Sequence, residues 1–108
     1  MAGAAILVMT QMPDRDSALA LARSLVESRV AACVSVGAPV ESLYHWQGKI
    51  ETAQETPLVV KTQQSRYREV EAAIRAQHPY ELPEILAVPV ADGLAPYLRW
   101  LVDETASA

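Results

Sequence analysis

The chain carries a single cysteine, Cys33, so no disulfide can close within it, and a reducing compartment is the setting that fits. Cationic residues are few and scattered: 9 Lys and Arg stand against 13 Asp and Glu, for a net charge of -4. Nucleic acid is excluded as a partner, because its phosphates require a concentrated basic face. No apolar run approaches the ~18 to 20 residues of a membrane span. The apolar opening Ala4 to Met9 has no basic stretch before it and is too short for a secretory signal. A cytoplasmic location is the expectation. Only 4 glycines occur, all isolated, so no glycine-rich phosphate loop can form. The mild acidity is compatible with cations as partners without demanding them.

What is present is patterned for mixed α and β structure in one domain over residues 1–108. Ala4 to Gln11 reads as a buried strand, broken at Pro13-Asp14. Ala18, Leu21, Ala22, Leu25 and Val26 share one face of a helix over 14–28. A strand follows from Val30 to Val36, bent at Gly37 and Pro39. Pro57, which cannot donate to a ladder, predicts a bulge or an edge in the return strand before Leu58 to Thr62 resumes. Ser65 is placed to cap a second helix reaching Gln77, with Tyr67, Val70 and Ile74 inward. Residues 77–84, with Pro79 and Pro83, form a loop. Ile85 to Val90 is a strand, and Gly93 introduces a last helix with Leu94, Tyr97, Leu98, Leu101 and Val102 on one stripe. The tail from Glu104 is expected to fray. The order gives an α+β, ferredoxin-like βαββαβ sandwich with an additional C-terminal helix and a long hairpin arm between its second and third strands.

That arm is the most informative stretch. Tyr44 and Trp46 alternate toward a tight turn centred on Gly48, and extended-compatible sequence runs from about Ala31 to about Gln63. A strand of that reach spans ~50 Å, more than a body with a ~13 Å radius of gyration covers. Its overhang would leave unpaired backbone and exposed aromatics. Copies of the same chain are therefore expected to dock onto it.

His78 is the first candidate for chemistry, since imidazole is the commonest transition-metal ligand. The alternative is a histidine that anchors its loop by hydrogen bonds. Cys33, between Ala32 and Val34, reads as packing, because no base stands beside it in the sequence. An enzyme using Cys33 or His78 with Glu81 or Glu84 is disfavoured, because no nucleophile, base and orienter fall at recognisable spacing.

Five segments together resemble the CutA divalent-cation tolerance family over essentially the whole chain. They are Ala31-Ala32-Cys33-Val34, Ser42 to Glu51, Lys61-Thr62, His78 to Glu84, and Tyr97-Leu98-Arg99-Trp100. The resemblance implies a homotrimer similar in design to PII signalling proteins, binding Cu(II) or another divalent cation, with no organic cofactor and no enzymatic activity. Copper ligands implied by the family fall at Met9, Gln77 and His78, of which only the last keeps the family's residue type. His45 stands where an aromatic residue is common and reads as a surface or interface substitution. Tyr44, Trp46, Lys49, Lys61, Tyr80, Glu81 and Glu84, with Cys33, are the shared positions expected at a cleft or contact between subunits. Two readings of them stay open. In one, the aromatics bury at the subunit contact and Lys61 pairs with a glutamate. In the other, the residues line a cleft for a metal or small anion, as in a PII-like metabolite sensor. A purely structural trimer is the remaining rival.

Overall fold

The computed structural model describes residues 4–106. Strand β1 (Ala5–Met12) is the centre of the sheet, because its alternate residues Ile6, Val8, Thr10 and Met12 are all buried. Helix α1 (Arg15–Glu27) starts at Asp14, whose carboxylate accepts the Ser17 N–H at 2.8 Å. It ends at Ser28, with Arg29 in the left-handed conformation at φ 63°. Strands β2 (Cys33–Val36) and β3 (Val40–Trp46) follow, then the long β4 (Lys49–Gln63). A 3-10 turn over Gln64–Arg66 leads into α2 (Tyr67–Gln77). Strand β5 (Leu86–Pro89) and helix α3 (Ala95–Glu104) complete the order.

The sheet runs β2-β4-β1-β5 with every pairing antiparallel, and β3 continues alongside the outer half of β4. This is the ferredoxin-like order, with the second strand divided into β2 and β3. Helices α1 and α2 cover one face, where Ala18, Leu21, Leu25, Val70 and Ile74 meet Ile6, Val8, Met12, Leu58 and Val60. Each large side chain buried there contributes about 1.5–3 kcal/mol. The other face carries Leu7, Met9, Val59, Leu86 and Val88, none of them buried, and α3 meets it at the end where Gln63 donates to Val102 and Thr105.

Five expectations need correction. Pro57 sits in β4 without a bulge in its own strand: the β1–β4 register is continuous through Gln11 and Pro57. The extra residue lies opposite it, where the three residues 37–39 face the two residues 56–57. Gly37 donates its N–H to the Pro57 carbonyl at 2.9 Å, so the missing proline N–H faces this bulge and removes no bond to β1. Ser65 does not cap α2; it lies within the 3-10 turn, and Arg66 precedes the helix without a side-chain cap. Val26 is exposed, one position off the buried stripe of α1. In α3 only Leu101 is buried, while Leu94 and Tyr97 are exposed.

Nor does the chain fray at Glu104. Thr105 is fully buried, and its hydroxyl donates to the Leu101 carbonyl and accepts from Gln63 Nε2, each at 2.8 Å. A fixed side-chain network outcompetes terminal entropy there. The rest of the expected frayed tail, 107–108, lies outside the described residues.

Candidate functional site: a cleft between arm and loop

The β3–β4 arm stands clear of the core, with Leu43 69% and Ile50 68% exposed. Its turn has two residues, Gln47 at φ 53° and Gly48 at φ 80°, between the paired Trp46 and Lys49. Positive φ at both central positions is the hairpin turn whose twist matches the strands. The extended length read from the sequence is present, and the molecule measures 45 Å along its longest axis.

Facing the arm is the loop 78–84, held to the end of β1 and to β4 at three points. His78 Nε2 lies 2.6 Å from the Gln11 carbonyl, which can only accept, so Nε2 carries the proton. The other ring nitrogen, Nδ1, then accepts the Tyr80 N–H at 3.2 Å. At the far end, Gln11 Nε2 donates to Glu84 at 3.4 Å. Between them the Tyr80 phenol donates to Glu55. Burial of the Tyr80 hydroxyl, followed by this bond to a carboxylate, pushes its pKa above the ordinary tyrosine value.

Arm and loop enclose a cleft of about 750 Å³. Residues 42–46 form one wall, Tyr80, Glu81, Leu82 and Glu84 the other, and Gln11 and Glu55 also line it. Of the residues singled out from the sequence, Tyr44, Trp46, Tyr80, Glu81 and Glu84 meet here, and His45 borders it. Cys33 and Lys61 lie elsewhere, paired across β2 and β4. Lys61 Nζ donates to Ser35 Oγ at 3.0 Å and lies 3.8 Å from Cys33 Sγ. Within the chain Lys61 thus meets a hydroxyl and a thiol, where one of the two readings expected a glutamate. Lys49 is at the arm's tip, outside the cleft lining.

Sequence reasoning missed Glu55 and Gln11. Glu55 is only 7% exposed, yet no ion pair reaches it among the described residues. A carboxylate that keeps strand alternation with Pro57 and Val59 was the available signal.

The metal donors implied by the resemblance are not gathered into a ready centre. Both nitrogens of His78 are engaged, Gln77 Nε2 donates to Ser24 Oγ at 3.0 Å, and Met9 is 39% exposed on the open sheet face. Among the described residues no group of three His, Cys, Asp or Glu converges on one point. A tight transition-metal site does not fit this donor set. Among the described residues no helix is long and apolar enough to cross a membrane.

Comparison with known proteins places these features. The profile of the family described as CutA1 divalent ion tolerance protein matches residues 6–104. The divalent-cation tolerance protein CutA of Thermus thermophilus is 39% identical over 99 residues, covering 92% of this chain and 96% of that protein. A chloroplastic CutA protein of Arabidopsis thaliana is 37% identical over 93% of this chain, which spans 55% of that relative's length. Among solved structures, CutA1 of Shewanella sp. SIB1 superposes with a TM-score of 0.93 at 40% identity, covering 95% of this chain and 96% of that one. A CutA from Archaeoglobus fulgidus, described as periplasmic, has a TM-score of 0.91 at 34% identity, covering 94% of this chain and 98% of that one.

Proposed function

Since the chain belongs to the CutA1 divalent ion tolerance family, we propose that it acts as a cytoplasmic homotrimer, a single unit over 1–108 that binds divalent cations weakly and catalyses no reaction. The observation that carries this reading is the unfinished surface of the single chain. An arm with exposed Leu43, Tyr44, Trp46 and Ile50 stands beside a sheet face with exposed Met9, Leu86 and Val88. Exposed apolar surface on this scale marks an interaction site, and identical copies supply the matching surface in a closed ring. Weak cation binding follows from the donors. Copper at His78 must take Nδ1 from the Tyr80 amide, forfeiting a bond worth about 1 kcal/mol, and among the described residues no group of three His, Cys, Asp or Glu stands ready to hold it.

Sedimentation at micromolar concentration should return three chain masses, and a well-folded single chain would sink the assembly. Calorimetry with Cu(II) on wild type and His78→Ala tests the metal: equal binding by both, or none by either, removes His78 from the role. A small-ligand sensing trimer is the second reading, favoured by a cleft whose volume suits an organic molecule.

A further inference from the structure

The arm–loop cleft combines three carboxylates with three aromatic rings and contains no lysine or arginine. An anion is therefore a poor occupant. A bare divalent ion is also poorly matched, because Glu55, Glu81 and Glu84 do not converge on a single point. The volume, about 750 Å³, is that of an organic ligand. Tyr44, Trp46 and Tyr80 add faces that attract organic cations and slide against methylene groups, but give a hydrated metal ion no ligand.

Glu55 supplies the independent observation. The residue as a whole is only 7% exposed and lines the cleft, and among the described residues it has the Tyr80 phenol but no cation for a partner. A buried charge is costly until a countercharge reaches it. We propose that this cleft binds an aliphatic oligoamine, its ammonium groups on the separated carboxylates of Glu55, Glu81 and Glu84, its methylenes against Tyr44, Trp46 and Tyr80. Spaced positive charges on a flexible apolar chain match spaced negative charges on an aromatic wall. This inference goes beyond cation tolerance and shares Tyr44 and Trp46 with the subunit contact proposed above, so that a neighbouring copy borders the cleft in the trimer.

Spermidine is the probe. The full-length protein, with Trp100→Phe so that Trp46 alone reports, is titrated by intrinsic fluorescence and by calorimetry, with magnesium chloride at matched ionic strength as control. Saturable binding of spermidine and none of magnesium is expected. Glu55→Gln should weaken it about tenfold, as loss of a charge-assisted contact does, and Tyr44→Leu should weaken it severalfold. Glu27→Gln, on the exposed face of α1, should leave it unchanged. Should Glu55→Gln fail to fold, Tyr44→Leu decides by the same comparison. No saturation, equal response to magnesium, or equal affinity in wild type and both cleft variants would overturn the proposal. Sedimentation of the same samples reports the assembly separately, so a trimer that ignores spermidine refutes the ligand alone.

Discussion

Replacing His78 by alanine removes two hydrogen bonds that hold opposite sides of one ring: Nε2–H to the Gln11 carbonyl at 2.6 Å, and Nδ1 from the Tyr80 N–H at 3.2 Å. It also removes the ring packed on Tyr80, with centroids 4.7 Å apart. At about 1 kcal/mol per net hydrogen bond, the loop should lose about 2 kcal/mol of closure. Because 1.4 kcal/mol is a factor of ten, local opening should rise about thirtyfold. The Tyr80 amide is the reporter, since its own N–H is the one released. Native-state hydrogen exchange at that amide should accelerate by this factor in His78→Ala, while amides in the middle of β1 and β4, which do not depend on the loop, keep their rates. Cu(II) added to wild type should accelerate the same amide if metal takes Nδ1, and should do nothing to the variant. If Tyr80 exchanged at the wild-type rate in His78→Ala while copper binding vanished, the anchoring role would be refuted and the histidine would be a dedicated ligand.

Other substitutions isolate single terms. Thr10 is buried with no partner for its hydroxyl among the described residues, so Thr10→Val should raise stability by about 1 kcal/mol in chemical denaturation. Gly48 has open space around it at φ 80°, so Gly48→Ala tests backbone strain alone; a loss of about 1 kcal/mol is expected, and no loss would mean that the turn had changed type. The backbone N–H of Ser17 and its hydroxyl hold Asp14 below the ordinary carboxylate pKa. Its capping contribution is therefore complete above the unfolded value and is lost as pH falls through the lower, folded one. Thermal melts of wild type and Asp14→Ala should differ at neutral pH and converge in acid.

The sequence announced its elements through period and punctuation, and those signals are local. Pro13-Asp14, the α1 stripe and the Gly48 turn each needed only neighbours a few residues away. Thr105 was misread because its partner, Gln63, is 42 positions distant, and composition at a chain end says nothing of such a bond. Of the candidate site, the aromatics and the loop glutamates were legible as a group, because each sits in a distinctive short motif. Their meeting in one cleft was not, since it depends on how far the loop folds back over β1. One reading paired Lys61 with a glutamate, whereas within the chain its amine donates to Ser35, brought beside it by sheet register.

Register also decides what the arm presents to the cleft. In β2, Cys33 and Ser35 lie opposite Lys61 and Val59, on the face that alternation along β4 assigns to Glu55 as well. Continued without interruption, that alternation would align Leu43 and His45 with Glu55. The extra residue among 37–39 shifts the phase by one, so that Val40 pairs with Glu55, and Tyr44 and Trp46 take its face instead. Gly37 and Pro39 therefore do more than bend a strand. They set which half of the arm's side chains meets the buried carboxylate, and they place an aromatic surface where an unbroken strand would have set a leucine and a histidine.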